Sequence, residues 1–211
     1  MKNNSGTLKL VSIALLTAIP LLMAYTPLGY LNIGPLAITF NMIPVAIAAI
    51  ALGPSGGAAV GAVFGLTSFL QCIGVGGTSA MGAALFAINP VLAFVQRMIP
   101  RVLDGFLLGY IFRGTGKRTG SMLACSVTGF FAAFLNTVFF MSALVLLFGN
   151  TEYMQNLMGG KNVIVFICTF VGVNAVFEML SATIITGAVG TALIKAHLIN
   201  PSGKKNAAAA A

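Results

Sequence analysis

Long apolar runs recur along the whole chain, and they are the feature that most restricts its fold. A helix that crosses the hydrocarbon core of a bilayer needs about 20 apolar residues. Three of the runs exceed that length, and three others come close to it. Only 7% of the 211 residues are charged, whereas 58% are hydrophobic, which leaves too few charges to cover a soluble domain. Lipid is therefore the predicted solvent for most of the chain.

Helices are the predicted form of these runs, because lipid offers no hydrogen bonds to an open backbone. The alternating pattern of an outer-membrane barrel is absent. The predicted fold class is all-α, an integral membrane bundle of six transmembrane helices. Residues 1–200 are predicted to form one membrane-embedded domain, and 201–211 a tail that is disordered or an artificial extension. The six runs lie at about 8–24, 37–52, 58–73, 82–112, 121–148 and 162–197, the fourth broken or kinked at Asn89-Pro90 and Pro100.

The positions of the basic residues predict the orientation of the bundle. With the N-terminus inside, Lys161 is the only Lys or Arg of the connecting segments and termini that falls outside. This is the pattern of the positive-inside rule, so both termini are predicted to be cytoplasmic in a multi-pass protein of the cell membrane. The net charge of +8 does not indicate nucleic-acid binding, because the basic residues lie mainly between or beyond apolar runs. The predicted cytoplasmic residues are Lys2, Lys9, Arg113, Lys117, Arg118, Lys195, Lys204 and Lys205.

Polar residues inside three of the runs define a candidate site. Arg97, Asn136 and Asn174 each lie about a dozen residues from the predicted outer end of their run, at a depth of about 18 Å. Gln96 lies at the same level. Because charged side chains are costly at membrane depth, they are expected to face the bundle interior or a cavity. One cation among neutral amides is the chemistry expected for an anionic ligand that carries hydroxyl or amide groups.

A second polar level lies about one helical turn deeper. It contains Arg101, Asp104 and Glu178, and Arg101 is expected to balance its charge against one of the two acids. Hydrogen bonding between helices is an alternative role for both levels. Asn41 is a further candidate for substrate binding, and Tyr30 and Asn32 are candidates, by position alone, for covering a pocket. Five phenylalanines of the fifth run are expected to pack against lipid and neighbouring helices: Phe130, Phe131, Phe134, Phe139 and Phe140.

Groups that could carry out catalysis are absent from the sequence. His197 is the only histidine, no Walker A pattern occurs, and no His, Cys and Asp cluster has metal-ligand spacing. The chain is therefore predicted not to be an enzyme and to carry no metal or cofactor. The three cysteines, which all lie in apolar runs, are expected to be small buried side chains: Cys72, Cys125 and Cys168.

Small residues spaced four apart mark places where another helix can approach closely. Ala14 and Ala18 form such a pair in the first run, and Gly57, Gly61 and Gly65 form a series in the third. The glycine series is expected to support close packing inside the bundle.

The motif Ala14-x-x-x-Ala18 resembles the docking motif of S-components of energy-coupling factor (ECF) vitamin transporters. Residues 31–44, LNIGPLAITFNMIP, followed by Leu52-Gly53-Pro54-x-x-Gly57, resemble the second-helix region of that family. The resemblance covers about residues 8–197. It implies a high-affinity vitamin-binding subunit without hydrolytic activity, a membrane-embedded scaffold that meets Ala14 and Ala18, and two cytoplasmic ATPases. It also implies an outer pocket lined by helices four to six and a toppling motion in the membrane.

Pantothenate is the favoured substrate, because its carboxylate suits Arg97 and its hydroxyl and amide groups suit Asn136 and Asn174. The local sequence also resembles pantothenate-type S-components most. Riboflavin, folate, biotin and pyridoxine-type compounds remain alternatives. A stand-alone secondary carrier is a further alternative, although such carriers usually show inverted repeats, which are not evident here.

Overall fold

The computed structural model describes residues 5–26, 30–32, 37–77, 79–196 and 198. Within these ranges the chain is helical except for a short antiparallel hairpin, so the predicted helical class is confirmed and the hairpin is an addition to it. A 3-10 turn, Gln71–Ile73, extends α3. The elements are α1 (Ser5–Ala24), β1 (Tyr30–Asn32), β2 (Ala37–Thr39), α2 (Met42–Leu52), α3 (Pro54–Leu70), α4 (Ala80–Ile88), α5 (Pro90–Gly116), α6 (Ser121–Phe148), α7 (Glu152–Met158) and α8 (Val163–Lys195).

Three segments of the described chain are long and apolar enough to cross a membrane: Pro54–Ile73, Ser121–Phe148 and Val163–Lys195. Shorter apolar helices cover Ile13–Ala24 and Met42–Leu52. Helix α5 has 27 residues, but its buried charges lower its apolar character. The count of six spans and the orientation of the termini stay predictions.

Two of the helices begin at residues other than those at which the predicted runs begin. The second run begins as strand β2, and its helix begins only at Met42. The fourth run divides at Asn89, whose Oδ1 accepts hydrogen bonds from Val91 N (3.0 Å) and Leu92 N (3.1 Å), with Pro90 as the first residue of α5. This side-chain cap starts a new helix.

Two further predictions concern segments near the ends of α6 and α8. Residues 149–161, which connect the fifth and sixth predicted runs, contain α7, whose first turn is capped by the Thr151 hydroxyl accepting from Met154 N. His197 and the tail at 201–211 lie outside the described residues.

The distribution of polar side chains in α8 is the reverse of that in a soluble helix. Asn174 and Glu178, one turn apart, are buried, whereas Val173 is 69% exposed and Phe177 is 57% exposed. An exposed apolar face of this kind would be unfavourable in water and is favourable in lipid. Cys168 of the same helix is exposed, so its predicted burial is wrong, while Cys72 and Cys125 are buried as predicted.

The closest backbone approach that bears on the candidate site joins α3 to α5. A Cβ atom at Gly57 would overlap the carbonyl oxygen of Gly105, and one at Gly61 would overlap that of Arg101. A Cβ at Gly65 would lie 3.1 Å from the carbonyl oxygen of Arg97. The predicted close packing at these glycines is confirmed. Because the contact runs along the backbone of α5, it fixes the positions from which the side chains of that helix extend.

Candidate functional site

The polar residues singled out in the sequence lie on the buried stripes of three helices. In α6 and α8 these stripes repeat at intervals of three and four residues, which keeps them on one face. The buried stripe of α5 contains four polar residues. All of the following side chains are buried: Gln96, Arg97, Arg101 and Asp104 of α5, Asn136 of α6, and Asn174 and Glu178 of α8.

Arg97 extends between α3, α4 and α6. Its Nη1 lies 3.5 Å from the hydroxyl oxygen of Ser68. Its guanidinium carbon lies 5.1 Å from the ring centroid of Phe140, and a Cβ at Gly82 would be 3.0 Å from its Nη2. The head group is therefore packed against a hydroxyl, an aromatic ring and the first turn of α4. It is inside the bundle, as expected for an intramembrane charge.

Arg101 lies one turn further along α5 and contacts the same aromatic ring. Its guanidinium carbon is 5.1 Å from the centroid of Phe140 and 4.7 Å from that of Phe64, and its Nη1 donates to the carbonyl oxygen of Arg97 at 2.9 Å. The two predicted polar levels are therefore less separate than the count along the helices indicated. Two cations converge on Phe140.

The two buried acids differ in their hydrogen bonds. Oε1 of Glu178 accepts a hydrogen bond from the backbone N–H of Thr39 at 2.7 Å. The carboxylate oxygens of Asp104 accept no hydrogen bond from the described residues. Arg101 attracts both carboxylates electrostatically. This agrees with the expected charge balance of Arg101, and Glu178 also holds the hairpin.

Three buried amides have hydrogen-bonding capacity that the described residues leave unused. Both side-chain polar atoms of Asn41 and of Gln96, and Oδ1 of Asn136, have no hydrogen-bond partner there. A buried polar atom without a partner costs about 1–3 kcal/mol, so such groups are usually satisfied by a ligand or by water. Asn174 is buried on α8, one turn from Glu178. The combination offers two cations for an anion and several amides for neutral polar groups.

The segment between α1 and α2 reaches the site through its hairpin. Tyr30 pairs with Thr39 and Asn32 with Ala37 in the antiparallel register, and the N–H of Thr39 contacts Glu178. The backbones of the two predicted pocket-covering residues are therefore in the strand next to the one that is bonded to α8. Their side chains lie outside the described part of the chain.

Sequence reasoning missed three contributors to this arrangement. The sequence indicates only packing for Phe140 and only charge balance for Glu178, and it does not single out Ser68. Each acts through a contact with a different segment of the chain: Phe140 with α5, Glu178 with the hairpin and Ser68 with Arg97. Residue types in a single sequence gave no signal for those contacts.

Comparison with known proteins assigns the family. The family model described as "ECF transporter, substrate-specific component" matches residues 8–190. The pantothenate transporter PanT of Leuconostoc mesenteroides is 32% identical over 205 residues, covering 91% of this chain and 95% of that protein. The pantothenic acid transporter PanT of Lactococcus lactis is 29% identical over 180 residues, covering 79% and 84%. The chain therefore belongs to the family of substrate-specific components of ECF transporters, which are membrane proteins and not enzymes.

Proposed function

We propose that the chain is the high-affinity pantothenate-binding subunit of an ATP-driven ECF uptake transporter in the cell membrane. The observation that carries this proposal is that Arg97, Arg101 and three amides without a full set of hydrogen-bond partners among the described residues are all buried. Pantothenate has one carboxylate at one end, a central amide and two hydroxyl groups. Those groups match a site of cations and amides, and two relatives of the chain are named as pantothenate transporters.

In the proposed complex, the carboxylate of pantothenate pairs with Arg97. Asn136 and Asn174 bind the polar middle of the molecule, and Gln96 and Asn41 supply further hydrogen bonds. Charge-assisted hydrogen bonds to a carboxylate are about twice as strong as neutral ones, so Arg97 is expected to contribute most. Tyr30 and Asn32 of the hairpin cover the outward-facing pocket, and the bond between Thr39 and Glu178 anchors that cover.

Thermal unfolding of the purified chain tests the substrate. A ligand that binds only the native state at 100 times its Kd stabilises it by about 2.7 kcal/mol. The panel contains pantothenate, riboflavin, folate, biotin and pyridoxine at equal concentration. We expect a dose-dependent rise in Tm with pantothenate that the others do not produce. A rise with another vitamin and none with pantothenate would refute the proposed substrate.

Ala14 and Ala18 are the proposed contact with the scaffold subunit, which in turn joins two cytoplasmic ATPases. Ala14 is exposed on α1, and Ala18 is partly exposed. A small-residue pair on an accessible face permits close approach of another helix. The subunit would then deliver pantothenate by reorienting in the membrane against the scaffold.

Replacement of Ala14 by Trp tests this contact. We expect the Ala14→Trp variant to lose co-purification with the scaffold and ATPases while its affinity for pantothenate stays unchanged. Leu15→Trp is the matched control, because Leu15 is exposed on the same helix outside the Ala14 and Ala18 pair. Normal assembly of Ala14→Trp would contradict the proposed contact, as would equal loss of assembly in the control.

A further inference from the structure

Phe140 is the point at which the two arginines of α5 meet α6. The guanidinium carbons of Arg97 and Arg101 each lie 5.1 Å from its ring centroid. The ring is buried, and it lies one helical turn from Asn136 on the same stripe of α6. A single aromatic side chain thus contacts both cations next to a proposed substrate-binding amide.

Two positive charges that share one ring in a buried site need stabilisation. The face of an aromatic ring carries negative partial charge and attracts a guanidinium, most strongly where water is excluded. An aliphatic side chain of similar size would fill the space but would not attract the charges. Arg101 also contacts Phe64, at 4.7 Å, and among the described residues Phe140 is the ring that both arginines contact.

We infer that Phe140 is a positioning residue that holds Arg97 and Arg101 together for one carboxylate and so sets a preference for acids over uncharged analogues. This inference rests on the proposed binding of pantothenate. The carboxylate would complete a site in which the ring restrains the two guanidinium groups before the ligand arrives. Restraint before binding raises affinity because less side-chain freedom is lost on binding.

The experiment compares pantothenate with pantothenol, in which a CH₂OH group replaces the carboxylate. Both are titrated calorimetrically into the purified full chain, its Phe140→Leu variant and its Phe140→Tyr variant. The readout is the ratio of the two Kd values. We expect Phe140→Leu to lower the preference for the acid about tenfold, which corresponds to about 1.4 kcal/mol. Phe140→Tyr, which retains the ring, is expected to keep the ratio of the unchanged protein within about threefold.

Phe166→Leu is the matched control for loss of a buried ring. Phe166 belongs to the same apolar cluster as Phe140 and stacks on Phe170. We expect it to lower Tm as Phe140→Leu does, while its ratio of Kd values stays that of the unchanged protein.

Two results would overturn the inference in distinguishable ways. The first is a ratio of Kd values that is unchanged in Phe140→Leu, or that falls as much in Phe140→Tyr and Phe166→Leu as in Phe140→Leu. Either outcome would show that Phe140 acts by packing alone, while the proposed substrate stands. Failure of the unchanged protein to bind pantothenate would refute the proposed function and this inference with it.

Discussion

The backbone and the polar side chains of α5 make two different kinds of contact with the rest of the protein. One side packs on α3, where Gly57 and Gly61 admit the backbone of α5 so closely that no side chain fits. The side chains of Arg97 and Arg101 pass Ser68 and Phe64 of α3 and meet Phe140 of α6. The first contact is steric and independent of any ligand, whereas the second contains charges suited to an anion. A closely packed backbone thus supports a set of side chains that the proposed substrate would complete.

This difference predicts opposite consequences for substitutions on the two sides. Changes on the glycine side should lower the stability of the protein with or without ligand. Changes on the polar side should lower the affinity for pantothenate, and they should change the stability of the ligand-free protein less than changes on the glycine side do.

The largest effect on stability is expected at Gly61. In Gly61→Ala the new methyl group would overlap the carbonyl oxygen of Arg101, a backbone atom that moves only with the whole helix. Overpacking of this kind costs about 1–3 kcal/mol, and we expect a value near the upper end. Thermal unfolding without ligand measures it. An unchanged Tm would mean that α3 and α5 are not held as closely as the contact indicates.

A smaller effect of opposite sign is expected at Gln96. Its side chain is fully buried, and its amide has no hydrogen-bond partner among the described residues. In Gln96→Met the cost of that amide is removed, so the ligand-free protein should gain about 1 kcal/mol in stability. Its affinity for pantothenate should fall by about fivefold, the effect of one neutral hydrogen bond of about 1 kcal/mol. A loss of stability together with unchanged affinity would show that Gln96 contributes to the stability of the bundle and not to the binding of pantothenate.

The smallest effect is expected at Gly172, which serves as the control for Gly61. It lies inside α8, and a Cβ there would meet nothing within 4 Å. Gly172→Ala should therefore stabilise the protein by about 0.5–1 kcal/mol through the higher helix propensity of alanine. A destabilisation comparable to that of Gly61→Ala would show that glycine content, and not the contact with α5, determines the result.

Features that lie within a single helix could be predicted from the sequence on both sides of this comparison. The spacing of Gly57, Gly61 and Gly65 indicated close packing, because small residues four apart share a helix face. Burial of Arg97 and Arg101 followed from the cost of exposing charge to lipid. These predictions depend on residue type and spacing within one helix, which a single sequence contains.

Contacts between distant segments could not be predicted in this way. The bond from Thr39 N to Glu178 joins residues 139 positions apart, and the meeting of Phe140 with the arginines depends on how α5 and α6 cross. The apolar run at 37–52 contains both strand β2 and helix α2, and a continuous apolar run does not distinguish strand from helix. For the same reason, counting residues along the helices placed Arg97 and Arg101 at two separate levels, whereas both contact the same ring.

The central claim is that Arg97 pairs with the carboxylate of pantothenate. Its most direct test is a thermodynamic cycle that removes the Arg97 side chain and the ligand carboxylate, separately and together. Pantothenate and pantothenol are titrated into the unchanged protein and into Arg97→Ala, with Tm measured without ligand. We expect Arg97→Ala to lose at least about 2 kcal/mol of pantothenate affinity, about 30-fold in Kd, because a hydrogen-bonded charge pair is removed. Pantothenol binding should change by less than about threefold, and a cooperative thermal transition without ligand should show that the variant still folds. An equal loss of affinity for both ligands, or no loss of affinity for pantothenate, would contradict the proposed pairing of Arg97 with the carboxylate.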